Sequence, residues 1–500
     1  MLDNLLLGFS VVLQPHNLLY AFLGVLIGTL VGVLPGIGPL ATIAMLLPLT
    51  FTMEPVTGII MLAGIYYGAQ YGGSTTAILV RMPGESSSVI TALDGYEMAQ
   101  QGRAGPALAI CAIGSFAAGC FATLLIAAAA PLLSSVALKF GAAEYFSLMV
   151  LGLIAAVVLS HGSIVKAIGM ILLGLLLGLI GTDINSGTVR FAMGVTSLYD
   201  GLDFVVVAMG LFALPELINN LEERGHRSVV KTHVGSLMPS RDDFRRSWKP
   251  IVRGSLLGSA LGILPGGGAV LSSFAAYALE KRLSSDPGRF GKGAIEGVAA
   301  PESANNAGAQ TSFIPMLTLG IPTNPLMALM VGALMVHGVS TGPQSMSRHP
   351  ELFWGLIVSM FVGNLMLLIL NLPLIRIWVK LIQIPYRILA PAVLVFVCIG
   401  VTAIKGGGFD VLMLAAIGII GYVLTKLDCE PAPLMLGFVL GPIMEENFRR
   451  SLMLSFGDPS IFFIRPISLA LLVTGAILLL LTTLPALKRT RREAFVESDR

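Results

Sequence analysis

Charge is scarce in this 500-residue chain: Asp, Glu, Lys and Arg make up 12% of it, about half the share usual in soluble domains. No Lys or Arg precedes Arg81, so the N-terminus lacks the basic stretch of a secretory signal peptide. Cysteine is sparse as well. Cys111, Cys120, Cys398 and Cys429 form no CxxC pair and have no histidine clustered beside them, so neither a structural metal nor a disulfide is expected. No GxxxxGK[ST] phosphate loop occurs; the string Gly72-Gly73-Ser74-Thr75-Thr76-Ala77 lacks the lysine that reaches a phosphate. No HExxH occurs, no paired-aspartate phosphate site stands out, and no basic face is interleaved with aromatics. These absences together argue against ATP-driven chemistry, a zinc protease, a membrane prenyltransferase and a nucleic-acid-binding protein, and no cofactor is expected.

What is abundant is apolar sequence, 55% of the chain. Runs long enough to cross a bilayer, which takes roughly 20 residues, recur from end to end: Ala104 to Leu133, Ile164 to Ile180, Leu352 to Pro373, Val411 to Leu424 with its flanks, and Ile467 to Leu484. In lipid each backbone polar group must be satisfied within its own segment, so such runs are helices. The strands of a membrane β-barrel would alternate apolar and polar residues, and these do not. The expected fold is all-α and polytopic, with about 10–14 transmembrane helices or re-entrant hairpin arms. Eight Lys or Arg fall between Arg224 and Arg253, and the tail carries Lys488, Arg489, Arg491 and Arg492. Positive charge concentrates on the cytoplasmic side, which places both regions in the cytoplasm and the N-terminus outside. Arg449 and Arg450 run against that topology.

Two halves of the chain resemble each other. Gly32 to Gly38 reads GVLPGIG and Gly262 to Gly268 reads GILPGGG, with Pro35 and Pro265 separated by 230 residues. At the same spacing Ser74-Thr75-Thr76-Ala77 falls on Ala304-Asn305-Asn306-Ala307, and Met209 to Pro215 resembles Leu436 to Pro442 at 227 residues. The expected organisation is a first membrane repeat over 1–224, a charged cytoplasmic linker over 225–250, a second repeat over 251–450, and a final helix with a basic tail over 451–500. Since one half starts outside and the other inside, the repeats are expected to be inverted, as in many secondary transporters.

Each half opens with a helix interrupted at Pro-Gly: Pro35-Gly36-Ile37-Gly38-Pro39 in the first, Pro265-Gly266-Gly267-Gly268 in the second. Proline removes a backbone donor and glycine does not hold a helix in place. Arms of about 16 residues rise about 24 Å, short of a hydrocarbon core of about 30 Å. They are expected to form re-entrant hairpins whose tips lie deep in the membrane, the alternative being ordinary full spans joined by a turn. Non-helical backbone at that depth is tolerated only beside protein or a water-filled cavity. Two tips would therefore frame a site.

Polar strings follow each hairpin. After the first come Ser74, Thr75 and Thr76, then Glu85 in Pro83-Gly84-Glu85-Ser86, then Asp94 and Glu97. After the second come Glu302, Asn305 and Asn306, then Thr323 and Asn324 in Gly320-Ile321-Pro322-Thr323-Asn324-Pro325. Hydroxyls, amides and free N–H groups at helix starts suit a carboxylate; the alternative for each Ser or Thr is a bond back to its own helix. The expected substrate contacts are Pro35, Gly36, Gly38, Ser74, Thr75, Thr76, Pro265, Gly266, Gly267, Gly268, Asn305, Asn306, Thr323 and Asn324. Glu302 is the expected ion-coupling acid, because an ionisable group inside a span is functional by default; its alternative role is a helix N-terminal carboxylate after Pro301. Glu85 and Asp94 rank second, and Asp183, Asp200 and Asp203 read as loop and cap residues.

At these motifs the chain resembles the large membrane subunit of the tripartite tricarboxylate transporters. The matching strings are Gly32 to Pro39 running on to Leu47-Pro48-Leu49-Thr50-Phe51, Tyr71 to Leu79, Met82 to Glu85 through Asp94-Gly95-Tyr96, Gly262 to Gly268 with Tyr277, Glu280 and Lys281, and Glu296 to Ala307. The resemblance implies a bacterial inner-membrane protein that works with a small four-helix membrane subunit and a periplasmic solute-binding protein. It also implies Na+- or H+-coupled uptake of citrate or a related small carboxylate. Thr323-Asn324-Pro325 departs from the glycine and small residues usual there in the family, which bears on substrate identity.

Overall fold

A computed structural model of the chain describes residues 2–483 apart from 35–37, 82–83, 138, 160–162, 184–185, 223–235, 265–267, 340–341, 343–344, 382–390, 392–393, 396, 400 and 403–407. The expected site residues Pro35, Gly36, Pro265, Gly266 and Gly267, and the basic tail from 484, lie outside the described residues. The chain is an all-α polytopic membrane protein. Its first portion runs α1 (Leu2–Val12), α2 (Pro15–Val33), α3 (Pro39–Thr50), α4 (Pro55–Val80), α5 (Thr91–Gln100), α6 (Ala104–Ala137), α7 (Ala142–Leu159) and α8 (Ile164–Gly178). A two-stranded ribbon pairing Gly181–Thr182 with Val189–Arg190 leads to α9 (Phe204–Ala208), a π-helical turn (Met209–Ala213) and α10 (Leu214–Glu222). The second portion runs α11 (Arg241–Gly262), α12 (Gly268–Leu283), α13 (Glu296–Thr311), α14 (Phe313–Leu319), α15 (Pro325–Val336), α16 (Ser345–Arg348), α17 (Pro350–Asn371) and α18 (Ile375–Leu381). It ends with α19 (Gly408–Lys426), α20 (Pro431–Leu454), α21 (Ile461–Ile464) and α22 (Pro466–Thr483). Four of these, α2, α6 to Ala129, α17 and α19, are long and apolar enough to cross a membrane, and seven shorter apolar helices accompany them.

The two interrupted helices are present. α2 ends at Val33, and α3 restarts at Pro39 and runs only 12 residues to Thr50; at 1.5 Å per residue that arm rises about 18 Å. α11 gives way to α12, whose 16 residues rise about 24 Å. Neither second arm spans a hydrocarbon core of about 30 Å. The stretch 225–250 is not a linker throughout: α11 begins at Arg241 because Ser240 and Asp243 form a capping box, each satisfying a backbone N–H at the helix start.

Small residues carry the hairpins onto their neighbours. A Cβ added at Gly24, Gly28 or Gly32 of α2 would lie 2.3, 2.4 or 2.4 Å from the carbonyl oxygens of Met61, Ile65 and Ala69 in α4. A Cβ added at Gly254, Gly258 or Gly262 of α11 would lie 2.4, 2.3 or 2.3 Å from those of Ala300, Ala304 and Gly308 in α13. Every fourth residue is therefore glycine on one face of each arm, and backbone meets backbone. The two ladders keep the 230-residue spacing along the hairpins, but the residues they touch are 239 apart. The pairing of Ser74–Ala77 with Ala304–Ala307 expected from sequence is thus out of register by nine: packing sets Met61, Ile65 and Ala69 against Ala300, Ala304 and Gly308. On the same 239-residue spacing Gly84 and Glu85 correspond to Thr323 and Asn324.

The ends of the two portions cross over. Gly174 of α8 abuts Leu434 of α20, and Gly437 abuts Ile171, with built Cβ distances of 2.0 and 2.5 Å to the facing carbonyls. Gly210 and Gly421 bring the π-helical turn against α19, where a Cβ at Gly421 would lie 3.1 Å from Gly210 O. Of the third landmark, Met209–Pro215 meets α19 and Leu436–Pro442 lies where α20 meets α8. Arg449 is paired: its guanidinium reaches Asp183 at 2.8 Å and Glu445 at 2.6 Å, and Arg190 reaches Glu445 at 2.8 Å. Asp203 caps α9 by accepting from Val205 N at 2.8 Å.

Candidate functional site

Four helices begin at one cavity. Gly38 precedes α3, Gly268 opens α12, Asn324 precedes α15 and Glu430 precedes α20, and all four line a space of about 390 Å3. That volume lies in the range of about 300–1,000 Å3 typical of small-molecule sites. Three of the four starts carry proline at the first helical position, Pro39, Pro325 and Pro431. Proline suits that position because the N–H it lacks is one the helix leaves unpaired anyway. The remaining N–H groups point outward, and each helix start carries roughly half a positive charge. Gly38 and Gly268, the described residues that flank the two interruptions, both line this space. Gly268 has φ +45°, a conformation that glycine adopts without strain.

Between the helix starts lie Tyr66 and Gln70 of α4, the turn Gly84–Ser87, Glu216 of α10 and Thr323. No Lys, Arg or His is among the described lining residues, whereas three acids are, Glu85, Glu216 and Glu430. Glu216 Oε1 accepts from Gly38 N at 2.5 Å. Asn324 Oδ1 accepts from Met327 N at 2.9 Å and so caps α15. Thr323 is fully buried and its hydroxyl has no partner among the described residues, an arrangement that costs free energy unless something completes it.

A second polar cluster sits directly behind the turn that carries Glu85. Asn305 Nδ2 donates to Glu85 Oε1 at 3.1 Å, and the Ser87 hydroxyl lies 2.5 Å from the same oxygen and 3.0 Å from Gln70 Oε1. One helical turn away, Glu302 is fully buried in the middle of α13. Its carboxylate accepts from Ser74 Oγ and from Thr91 Oγ1, each at 2.5 Å. Glu302 stands seven residues into α13, so the alternative of a helix N-terminal carboxylate does not hold. Asn306 Nδ2 donates to Ser115 Oγ at 2.7 Å and to Glu302 O at 3.0 Å. Among the described residues the side-chain oxygens of Asn305 and Asn306 are buried without partners, one helical turn along α13 from the Glu302 carboxylate.

Gly38, Glu85, Gly268, Thr323 and Asn324 therefore line the cavity. Ser74, Asn305, Asn306 and Glu302 form the cluster behind it. Thr75 Oγ1 donates within its helix to Tyr71 O at 3.5 Å, and Thr76 Oγ1 lies 2.9 Å from Gly73 O in its own helix and 3.4 Å from Gly32 O of α2. Asp94 is elsewhere in function: it is fully buried and accepts from Tyr277 OH and from the amides of Gly291, Gly293 and Ala294 at 2.8–2.9 Å. It is an anchor that ties α5 to the loop before α13. Glu216 and Glu430 were not singled out from sequence. The signal for Glu216 was there, an acid directly after Pro215 in the apolar run Met209–Leu214. Among the described residues no three His, Cys, Asp or Glu side chains gather to hold a metal ion.

Comparison with known proteins is consistent with this architecture. Residues 18–436 match the sequence profile of the tripartite tricarboxylate transporter TctA family. Over 499 residues, covering all of this chain and 99% of the relative, the sequence is 57% identical to an uncharacterized 52.8 kDa protein of the TAR-I ttuC' 3' region of Agrobacterium vitis. It is 56% identical over 242 residues, 48% of this chain and all of the relative, to an uncharacterized protein of the TAR-II ttuC' 3' region of the same organism. No solved structure matches the chain.

Proposed function

From the premise that this chain belongs to the tripartite tricarboxylate transporter TctA family, we propose that it is the large membrane subunit of an ion-coupled uptake system for citrate-like or related small carboxylates. The system resides in the bacterial inner membrane and includes a periplasmic solute-binding protein and a small four-helix membrane subunit. The observation that carries this reading is the convergence of four helix starts on one cavity lined by both interrupted helices. Unpaired N–H groups there receive carboxylate oxygens, and the helix ends supply about two positive charges in all. Three lining carboxylates and a dianionic substrate bring five negative charges when ionised. The deficit of about three charges in a low-dielectric site is costly, so substrate enters with cations.

Glu302, held by Ser74 and Thr91, is the acid we assign to that duty, with Na+ or H+ as the coupling cation. Gly38, Gly268, Thr323 and Asn324 contact the substrate, with Asn305 linking the two clusters through Glu85. The parallel ladders on α2 and α11, and the reciprocal crossings of α8 with α20 and of the π-helical turn with α19, support two inverted repeats that move against each other about the shared site. Vesicles reconstituted with the cognate partners test the reading. They are expected to accumulate unmodified radiolabelled citrate, with rates that follow an imposed Na+ or pH gradient. Conversion of the label without accumulation would point to an enzyme, and gradient-independent flux to a channel; either result removes the proposal.

A further inference from the structure

One of the four helix ends already holds a carboxylate. Glu216 reaches from a position 178 residues along the chain to accept from Gly38 N. Both of its oxygens face the helix start: a Cβ added at Gly38 would lie 2.8 Å from one and 3.1 Å from the other. We propose that Glu216 is a built-in competitor of the substrate. Its side chain occupies the amide end of α3 until a substrate carboxylate displaces it, one acid exchanging for another at the same donors. This deepens the carboxylate-carrier reading and rests on it.

Two further observations point the same way. Glu216 lies three residues past a π-helical turn that ends at Ala213, where Leu214 N donates to Met209 O, five residues back. Pro215 has no N–H to give to Leu211, so the wider turn is where the helix register is weakest. Such a turn sets the direction of Glu216 and gives it a place to withdraw from. Across the same cavity the buried hydroxyl of Thr323 has no partner among the described residues, and no described basic side chain lines the space. An incoming dicarboxylate therefore has helix ends and neutral side-chain donors, the Thr323 hydroxyl among them, and it reaches the α3 end only by taking the place of Glu216. The freed Glu216 carboxylate is left facing the cavity without that donor, and a cation is then needed to balance it. Anion and cation loading are thereby linked at one side chain.

Thermal-shift titration of the purified full-length chain with citrate and with succinate tests this in the wild type, Glu216→Gln, Glu216→Asp and Thr323→Val. Glutamine replaces a charge-assisted bond with a neutral one of about half the strength. Aspartate keeps the charge but is one methylene too short to reach Gly38 from the same backbone. Both Glu216 variants are expected to bind at least one of the two probes more tightly, by about tenfold for a loss of about 1.4 kcal/mol of competition, and Glu216→Asp carries the test if Glu216→Gln does not fold. Thr323→Val is expected to weaken binding. Unchanged or weaker binding in both Glu216 variants overturns the competitor. If Thr323→Val still weakens binding in that case, the carrier reading stands without it. If no form binds either probe, both fall together.

Discussion

Replacing Gly28 or Gly258 with alanine tests whether the hairpins are held by backbone contact. The added Cβ would lie 2.4 Å from Ile65 O in the first case and 2.3 Å from Ala304 O in the second. Ordinary contact begins at 3.4 Å, so the helices must part by about 1 Å, because a carbonyl in a helix does not rotate aside. Overpacking of that kind costs up to about 3 kcal/mol. Alanine recovers about 1 kcal/mol through its helix propensity, which leaves a net loss of about 2 kcal/mol for either substitution. Gly169 of α8 is the control, since a Cβ there meets nothing within 4 Å; Gly169→Ala is expected to be neutral or stabilising by up to about 1 kcal/mol. Thermal unfolding in detergent, read beside citrate uptake in vesicles, measures both effects. Parting α2 from α4 also moves Gly38 relative to Glu85, so uptake is expected to fall in the ladder variants. Wild-type stability and uptake in Gly28→Ala and Gly258→Ala would refute the argument.

Other expectations follow from the same geometry. Glu302→Gln keeps a side chain that Ser74 and Thr91 can still bond, so membrane insertion and thermal stability are expected to persist while ion-driven uptake is lost; uptake at the wild-type rate would remove Glu302 from coupling. Asn305→Ala combined with Asn306→Ala is expected to abolish uptake with insertion intact, as read by surface labelling alongside transport. Asp94→Ala strands four donors, three of them backbone amides, and is expected to cost about 3 kcal/mol or more of stability without changing substrate preference. Asp243 caps α11: burial pushes its carboxyl up, but the Ser240 amide and hydroxyl and Arg103 outweigh it, and the group lies below the ordinary aspartate value of 3.8. A lowered folded value means the cap contributes fully above 3.8 and is lost as pH falls through the folded value. Asp243→Asn is therefore expected to lower the melting temperature at neutral pH, with the gap from wild type closing only in strong acid.

The parts of this architecture that local chemistry dictates were readable from the chain. Proline followed by glycine disfavours a continuous helix, so the restarts at Pro39 and Gly268 were foreseeable. Thr323 and Asn324 stood out because a capping amide between two prolines has few uses inside an apolar run. Ser74 and Thr75 stood out for the same kind of reason, yet a hydroxyl's direction depends on which face its helix buries, and α4 turns Ser74 toward Glu302 rather than toward the cavity. The nine-residue shift between the halves was not readable: alanine and glycine fit a close helix contact in several registers, so Ala304 and Ser74 aligned as plausibly as Ala304 and Ile65. Glu216 escaped because its place depends on a π-helical turn, which spacing rules for ordinary helices put on the wrong side, and on Gly38 lying across the fold.

The glycine ladders also bear on which pieces would move together in the proposed carrier. With backbone against backbone at Gly24, Gly28 and Gly32 of α2 and at Gly254, Gly258 and Gly262 of α11, each seam has little side-chain material that can re-pack into a second arrangement. Each hairpin and its long neighbour make one stiff leaf, and the tip cannot travel without carrying Tyr66 and Gln70, or Glu302 and Asn305, along with it. In the proposed carrier, opening to one side and then the other would take place along the borders where Glu216 meets Gly38 and where Thr323 faces the shared space. A chemical staple across a ladder would leave the cycle running, whereas one joining α10 to the start of α3 would stop it.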